Sequence, residues 1–260
     1  MKRNLPLTEE QKQQIILLYG KYSCVEISKI VEGVTLNQVY DLRRRLNITQ
    51  KQNPQFELND IQIQLLLGGK LGDGNFKSNG KLGCYYRESH AEDELEYLTW
   101  KADIFGKEIL SEKGVHPINI KTKYHQFNNG IYAIQQPYVF STKTSSVFNQ
   151  YKDMSMLQTI NLLDYRGLII FLLDDGWFST DNRNIGYGKG HFCISKGILN
   201  TTETQAICDK FIEYNIDSAH IIQNGDISFY QKDTIRIFDL ASSFIPTHLD
   251  IMKKKFKTIL

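Results

Sequence analysis

An apolar, helix-like stretch that runs into Asp-Gly occurs twice in this chain, at Asp73-Gly74 and at Asp175-Gly176, 102 residues apart. One such junction is an ordinary turn. Two of them, each followed by the same run of patterns, imply a duplicated unit whose halves bury their apolar faces together. After the first, Asn79-Gly80 marks a hairpin turn. Residues 84–89 then read as extended, 94–105 as a helix, 118–127 and 131–140 as strands, and 147–157 follows. After the second come extended segments near 187 and at 191–195, and a helix at 203–214. A strand pair at 219–223 and 227–230 turns at Asn224-Gly225, and an amphipathic stretch at 234–244 precedes a lysine-rich tail. The order helix, two strands, helix, two strands, helix thus occurs twice. This predicts an α+β fold of two pseudo-symmetric αββαββα repeats, 58–157 and 158–260.

The chemistry follows from where the helices end. Gly68 and Gly72 are four residues apart, so they line one helix face and let a second backbone approach closely. Crossing the two apolar helices there brings together two negative helix poles, each with an aspartate. Asp73 and Asp175 side by side are unfavourable unless a cation sits between them. Oxygen-rich sites suit Mg2+ or another divalent cation, and paired metals assist phosphodiester hydrolysis. A basic group near each aspartate would stabilise transition-state charge. Lys152 and Lys254 each lie 79 residues beyond their aspartate, although Lys253, Lys254 and Lys255 form a run in which any member fits.

The segment Leu66-Leu67-Gly68-Gly69-Lys70-Leu71-Gly72-Asp73-Gly74 resembles the nine-residue motif of the LAGLIDADG homing endonucleases. A second copy, Leu168-Ile169-Ile170-Phe171-Leu172-Leu173-Asp174-Asp175-Gly176, is similar. The resemblance covers roughly residues 58–260. It implies that Asp73 and Asp175 bind the catalytic metals, and that the family's basic residues fall on Lys152 and on one of Lys253–Lys255, with Lys254 the choice by spacing. It also implies a saddle of two sheets over double-stranded DNA, and a monomer cutting both strands of a long, imperfectly symmetric site. The motifs depart from the pattern at Lys70, at Leu71 and Leu173, and at Ile170 and Asp174, where small residues are usual. On the same fold, an RNA maturase assisting intron splicing or a transcriptional regulator is the competing reading. Retention of both aspartates favours the nuclease. A ligand-sensing regulator acting through its N-terminal segment has no ligand signature to support it.

Period-2 alternation nominates a DNA-reading surface. Its members are Asn75, Lys77, Asn79, Tyr85, Arg87, Lys121 and Lys123 in the first repeat. In the second they are Arg183, Tyr187, Lys189, His191 and Lys196. Residues 1–48 read as three short helices with a glycine-containing turn before the last, a helix-turn-helix pattern. Its third helix would present Asn37, Gln38, Arg43, Arg44 and Arg45 to bases and phosphates. Residues 1–53 carry nine Lys/Arg against five Asp/Glu. The polar stretch 49–57, with Pro54, reads as a linker.

Net charge is only +2, so a nucleic-acid partner has to be argued from where charges sit. Cys24, Cys84, Cys193 and Cys208 have neither zinc-ligand spacing nor the density of a disulfide framework, which predicts an intracellular setting. The N-terminus shows no apolar leader, and the longest apolar run is far too short to cross a membrane.

Overall fold

The structure, a computed structural model, describes residues 6–19, 22, 24–46, 56–80, 83–119, 124–127, 130–133, 135–179 and 191–256. Of the nominated residues, Lys121, Lys123, Arg183, Tyr187 and Lys189 lie outside these.

The N-terminal module holds α1 (Glu9–Leu18), α2 (Cys24–Ile30) and α3 (Leu36–Arg45). Capping boxes at Thr8/Gln11 and Thr35/Gln38 start α1 and α3. The turn between α2 and α3 passes through Gly33 at φ +71°, a left-handed conformation that a side chain resists. Ile15, Cys24, Ile27, Val31, Val34, Val39 and Leu42 make a core of their own.

The first repeat opens with α4 (Asp60–Leu71), which Asn59 and Gln62 cap reciprocally. Strands β1 (Gly74–Ser78) and β2 (Cys84–Ala91) form the hairpin expected at Asn79-Gly80, and α5 (Leu95–Ile109) follows. The two longer strands expected after it are broken into four: β3 (His116–Pro117), β4 (Tyr124–Phe127), β5 (Gly130–Ala133) and β6 (Pro137–Ser141). Among the described residues, β4 and β5 pair only with each other, while β3 pairs with β6. Helices α6 (Asn149–Asp153) and α7 (Met156–Asn161) close the repeat.

The second repeat starts with α8 (Tyr165–Asp175), capped by Asp164, which accepts from the Arg166 and Gly167 amides. It continues with β7 (Gly176–Ser179), β8 (His191–Ile194), α9 (Thr201–Glu213), β9 (His220–Ile221) and β10 (Ile227–Ser228). It ends in α10 (Gln231–Ser242) and α11 (Asp250–Lys255).

The sheets run β1-β2-β6-β3 and β7-β8-β10-β9. With the β4–β5 hairpin set aside as an insertion, both have the order first, second, fourth, third. Every pairing within them is antiparallel. One apolar core serves both repeats, with α4 and α8 crossing through it. Leu65, Leu66 and Leu67 of α4 and Leu168 through Leu173 of α8 are all buried, each side chain worth about 1.5–3 kcal/mol of transfer free energy.

The crossing is as close as the glycine spacing requires. A side chain at Gly68 would strike the Gly167 carbonyl and stand 2.9 Å from the Ile170 Cβ. One at Gly72 would stand 2.6 Å from the Asp174 Cβ. Gly68 and Gly72 thus face Ile170 and Asp174, the residues at which the second motif departs. The small residues are concentrated on one helix and the large ones on the other. Gln64 ties the crossing further: its Nε2 donates to the Leu162 carbonyl at 3.0 Å and its Oε1 accepts from the Asp164 amide at 2.9 Å. Lys70 is also accounted for. Its ammonium donates to the Tyr151 and Met154 carbonyls at 2.7 Å each, capping the end of α6. No helix among the described residues is long and apolar enough to cross a membrane.

Candidate active site

Asp73 follows the Gly72 cap of α4, and Asp175 is the last residue of α8. The crossing therefore delivers both motif ends to one place, with Asp174 between them in the interface. Burial and the Asp174 charge push the Asp73 carboxyl up to about 7, against the pull of His90 and Lys101. The same two causes raise Asp175 to about 6, opposed by Lys255 and Lys101. Two carboxyls raised by burial and by the Asp174 charge mark a place that favours added positive charge.

Beneath them lies a buried polar network of the first repeat. β2 turns Tyr86, Glu88 and His90 inward, and α5 supplies Lys101 from the same face as Tyr97, Leu98 and Phe105. The Lys101 ammonium donates to Glu88 Oε1, and to Asp174 Oδ1 at 2.6 Å. Tyr97 donates to the same Asp174 oxygen at 3.1 Å, and Tyr86 to Glu88 Oε2 at 2.5 Å. His90 sits between Glu88 at 2.8 Å and Glu94 at 2.9 Å, with its Nδ1 3.6 Å from Asp73 Oδ2. Burial alone would raise Glu88, but Lys101 and His90 hold it at about 2. Burial would lower His90, yet its two carboxylate partners raise it to about 10, so the ring is an imidazolium at neutral pH.

The lysines do not follow the spacing. Lys254 pairs with Asp93 at 3.0 Å and Glu94 at 2.7 Å on the far repeat. Lys255 is the one that reaches the second motif, donating to the Gly176 carbonyl. Burial depresses its pKa, and the Asp174 and Asp73 charges are among those that oppose the shift. Of the three consecutive lysines, the spacing choice Lys254 thus faces Asp93 and Glu94 while Lys255 faces the second motif, because α11 turns by about 100° per residue. Lys152 is 3.5 Å from Asp153 and partly exposed. It is not among the charges that move Asp73 most.

The reading face is sharper. Directly paired residues share a face in an antiparallel sheet. Asn75 opposes Arg87, Lys77 opposes Tyr85, and Arg87 opposes Ser141. All four nominated residues thus stand together on the open side of the first sheet. That side holds a cavity of about 330 Å³ lined by Tyr85, Arg87, Lys113, His116 and Ser141 among others. Asn79 lies off it, closing the β1–β2 loop onto Thr144 Oγ1 at 3.1 Å. In the second sheet, His191 opposes Ser179, beside the Trp177–Cys193 pair. Lys196 is in the loop after β8 and lies over Gly225, which a side chain there would meet 2.8 Å from the ammonium. In α3, Asn37, Arg44 and Arg45 are exposed and Arg43 is half-buried. Gln38 is committed to the cap, accepting from the Thr35 amide at 2.8 Å.

Glu88, Lys101, Glu94 and Tyr97 were not nominated from the sequence. The available signal was phase: Glu88 and His90 fall on the inward beat of CYYRESHA, and Lys101 on the apolar face of α5. A charge out of phase marks a buried network.

A model of the LAGLIDADG DNA endonuclease family matches residues 63–229. The chain belongs to that family. Among curated proteins, RecA of Mycolicibacterium flavescens is 24% identical over 148 residues, covering 53% of this chain and 32% of that protein. RecA of Mycolicibacterium thermoresistibile is 37% identical over 51 residues, covering 19% of this chain and 12% of that protein. The chain spans about a third or less of the length of these relatives. Among solved structures, the fold is similar to that of the homing endonuclease I-WcaI bound to its DNA recognition sequence, with a TM-score of 0.57 and 18% identity. That match covers 88% of this chain and 96% of the other.

Proposed function

We propose that this chain is a site-specific endonuclease that hydrolyses both strands of a DNA duplex with Mg2+ or another divalent cation. The observation that carries the reading is the meeting of two motif ends. Donor atoms of Asp73 and Asp174 lie within 4.8 Å of one another, with Asp175 the next residue, where two helices present their negative poles, in a family of DNA endonucleases. The donor set is all oxygen once His90 is recognised as a doubly paired imidazolium, and oxygen donors suit a hard cation. Divalent cations bound there would supply Lewis acidity and lower the pKa of water.

The chain's own residues do the rest. Asp73 and Asp175 hold the cations. Lys255, half-buried beside the second motif, places positive charge where a leaving oxygen develops negative charge, and Lys152 is the lysine nominated for the first. Asn75, Lys77, Tyr85 and Arg87 meet one half of the duplex, and His191 with the second sheet meets the other. Because one chain carries both motif helices, the working unit is a monomer. The module of α1–α3, with Asn37, Arg43, Arg44 and Arg45 along its last helix, adds phosphate and base contacts outside the central site.

The test is a supercoiled plasmid carrying the insertion locus of this reading frame, incubated with Mg2+. Asp73→Asn or Asp175→Asn is expected to reduce double-strand cleavage by at least about 10²-fold, the scale of losing one preorganised electrostatic group, while mobility-shift affinity persists. Unchanged cutting by the double variant would refute the mechanism. Tight duplex binding with no cutting by the wild type would leave a non-cleaving nucleic-acid binder on the same fold.

A further inference from the structure

Asp174 is the residue of the second motif that the duplicated pattern least explains. It occupies a position where the first copy has Gly72, and its side chain is fully buried. Oδ1 is saturated by the Lys101 ammonium at 2.6 Å and the Tyr97 hydroxyl at 3.1 Å. Among the described residues, Oδ2 has no hydrogen-bond partner, although it is buried. A carboxylate oxygen held out of water without a partner is destabilising, so the absence of a donor calls for an explanation. Room for Oδ2 exists only because residue 72 is glycine: a side chain there would stand 2.8 Å from it.

The surroundings identify the missing partner as a cation. Donor atoms of Asp73, His90 and Asp174 lie within 4.8 Å of one another. That separation matches two oxygens on one metal, each about 2.1–2.4 Å away. His90 is not a ligand, because Glu88 and Glu94 take both ring nitrogens. Lys101 and Tyr97 meanwhile fix the Asp174 carboxylate through Oδ1, leaving the buried Oδ2 without a donor among the described residues.

We propose that Asp174 is a third carboxylate ligand at the paired helix ends, binding a divalent cation through Oδ2 together with Asp73. The site is then asymmetric. The cation nearest the first motif has two carboxylates from different repeats, and the second motif keeps Asp175 alone. The proposal deepens the reading of this place as a cation centre and rests on it.

Mn2+ is the probe, used on the full chain without DNA. Anomalous diffraction from wild-type crystals soaked in Mn2+ is expected to place a peak within about 2.5 Å of Asp174 Oδ2. Electron paramagnetic resonance titration is expected to show Asp174→Asn binding Mn2+ at least about tenfold more weakly than wild type, with a cooperative unfolding transition retained. Peaks at Asp73 or Asp175 with none in reach of Asp174, no peak at all, or a folded Asp174→Asn that binds Mn2+ like wild type would each overturn it. If that variant does not fold, the diffraction result decides. Parallel plasmid assays separate the two readings. Cleavage lost in Asp73→Asn with Mn2+ binding intact in Asp174→Asn removes this ligand and leaves the nuclease standing. A weakened Asp174→Asn in a protein that cuts no DNA does the reverse.

Discussion

Opposite the glycine that ends each motif, β2 of the first repeat places Glu88 and β8 of the second places Ile194. The same register sets Tyr86 against Phe192, Arg87 against Cys193 and Tyr85 against His191. The two sheets share a strand order, yet they bury different things. Under the first motif lies an ionic network of Glu88, His90 and Lys101; under the second, β8 and α9 bury Phe192, Ile194, Ile207 and Phe211. The motif helices divide in the same way, with Gly68 and Gly72 against Ile170 and Asp174. Duplication sets the topology, and afterwards each position answers to its facing neighbour. A glycine on one helix permits an isoleucine or an aspartate on the other. The ion network in the first repeat then exists to receive the aspartate that the second repeat projects into it.

That contrast can be broken most directly at Lys101. Lys101→Met strands Glu88 and Asp174 in the core, and losing one partner of a buried ion pair costs about 3–5 kcal/mol. Urea denaturation should show it, and a loss under 1 kcal/mol would mean that the network is not a unit. At the helix crossing, Ile170→Ala should cost about 2–5 kcal/mol by leaving a cavity. Gly68→Ala should cost about 1–3 kcal/mol by overpacking. The double variant should recover only part of the loss, because the Gly167 carbonyl remains in the way of the new methyl. Full additivity in the same assay would deny that the two positions are complementary.

The open faces of the sheets offer a smaller difference. Arg87→Ala should weaken binding to the target duplex by about 1–3 kcal/mol if it reads a base edge, or lower the salt slope by about one if it meets a phosphate. His191→Ala in the second sheet should do less. Equal effects in fluorescence anisotropy at two salt concentrations would remove the asymmetry between the half-sites.

The gentlest test is pH. Asp73 at about 7 and Asp175 at about 6 lie above the unfolded value, which is about 3.9. Between these limits the folded chain binds more protons than the unfolded one, so its stability falls as pH rises. Glu88 and Glu94, both held at about 2, act oppositely and lose their contribution only as pH drops below the usual carboxylate range. His90, raised to about 10, stabilises fully below its unfolded value of about 6.5 and loses that contribution progressively as pH rises toward about 10. The cation-free protein should therefore have its highest Tm near pH 4–5 and decline toward pH 7, with Mn2+ flattening the decline. A Tm that climbs steadily from pH 5 to 7 without metal would contradict the raised carboxyls.

Much of this was legible without coordinates. Hydrophobic periodicity and the Asp-Gly pair located α4 and α8 to within a few residues, since a buried helix and its cap are local patterns. Strict alternation placed Asn75, Lys77, Tyr85 and Arg87 on one face, because β geometry leaves no other choice. The strands after α5 were misjudged, as β4 and β5 leave the sheet and only long-range pairing with β2 distinguishes β6 from them. The tail lysines were equally opaque. Which of three consecutive residues points inward depends on how α11 docks beside α5, and that decided for Lys255.

The sequence by itself determined a duplicated α+β chain with an aspartate at the end of each motif helix, because period, caps and turns act over a few residues. Only the tertiary structure decided that Asp174 meets Gly72, that Lys101 and His90 stand beneath it, and that one oxygen is left without a partner. Those contacts join residues about 70 to 100 positions apart in the chain, and no local rule carries information over that distance.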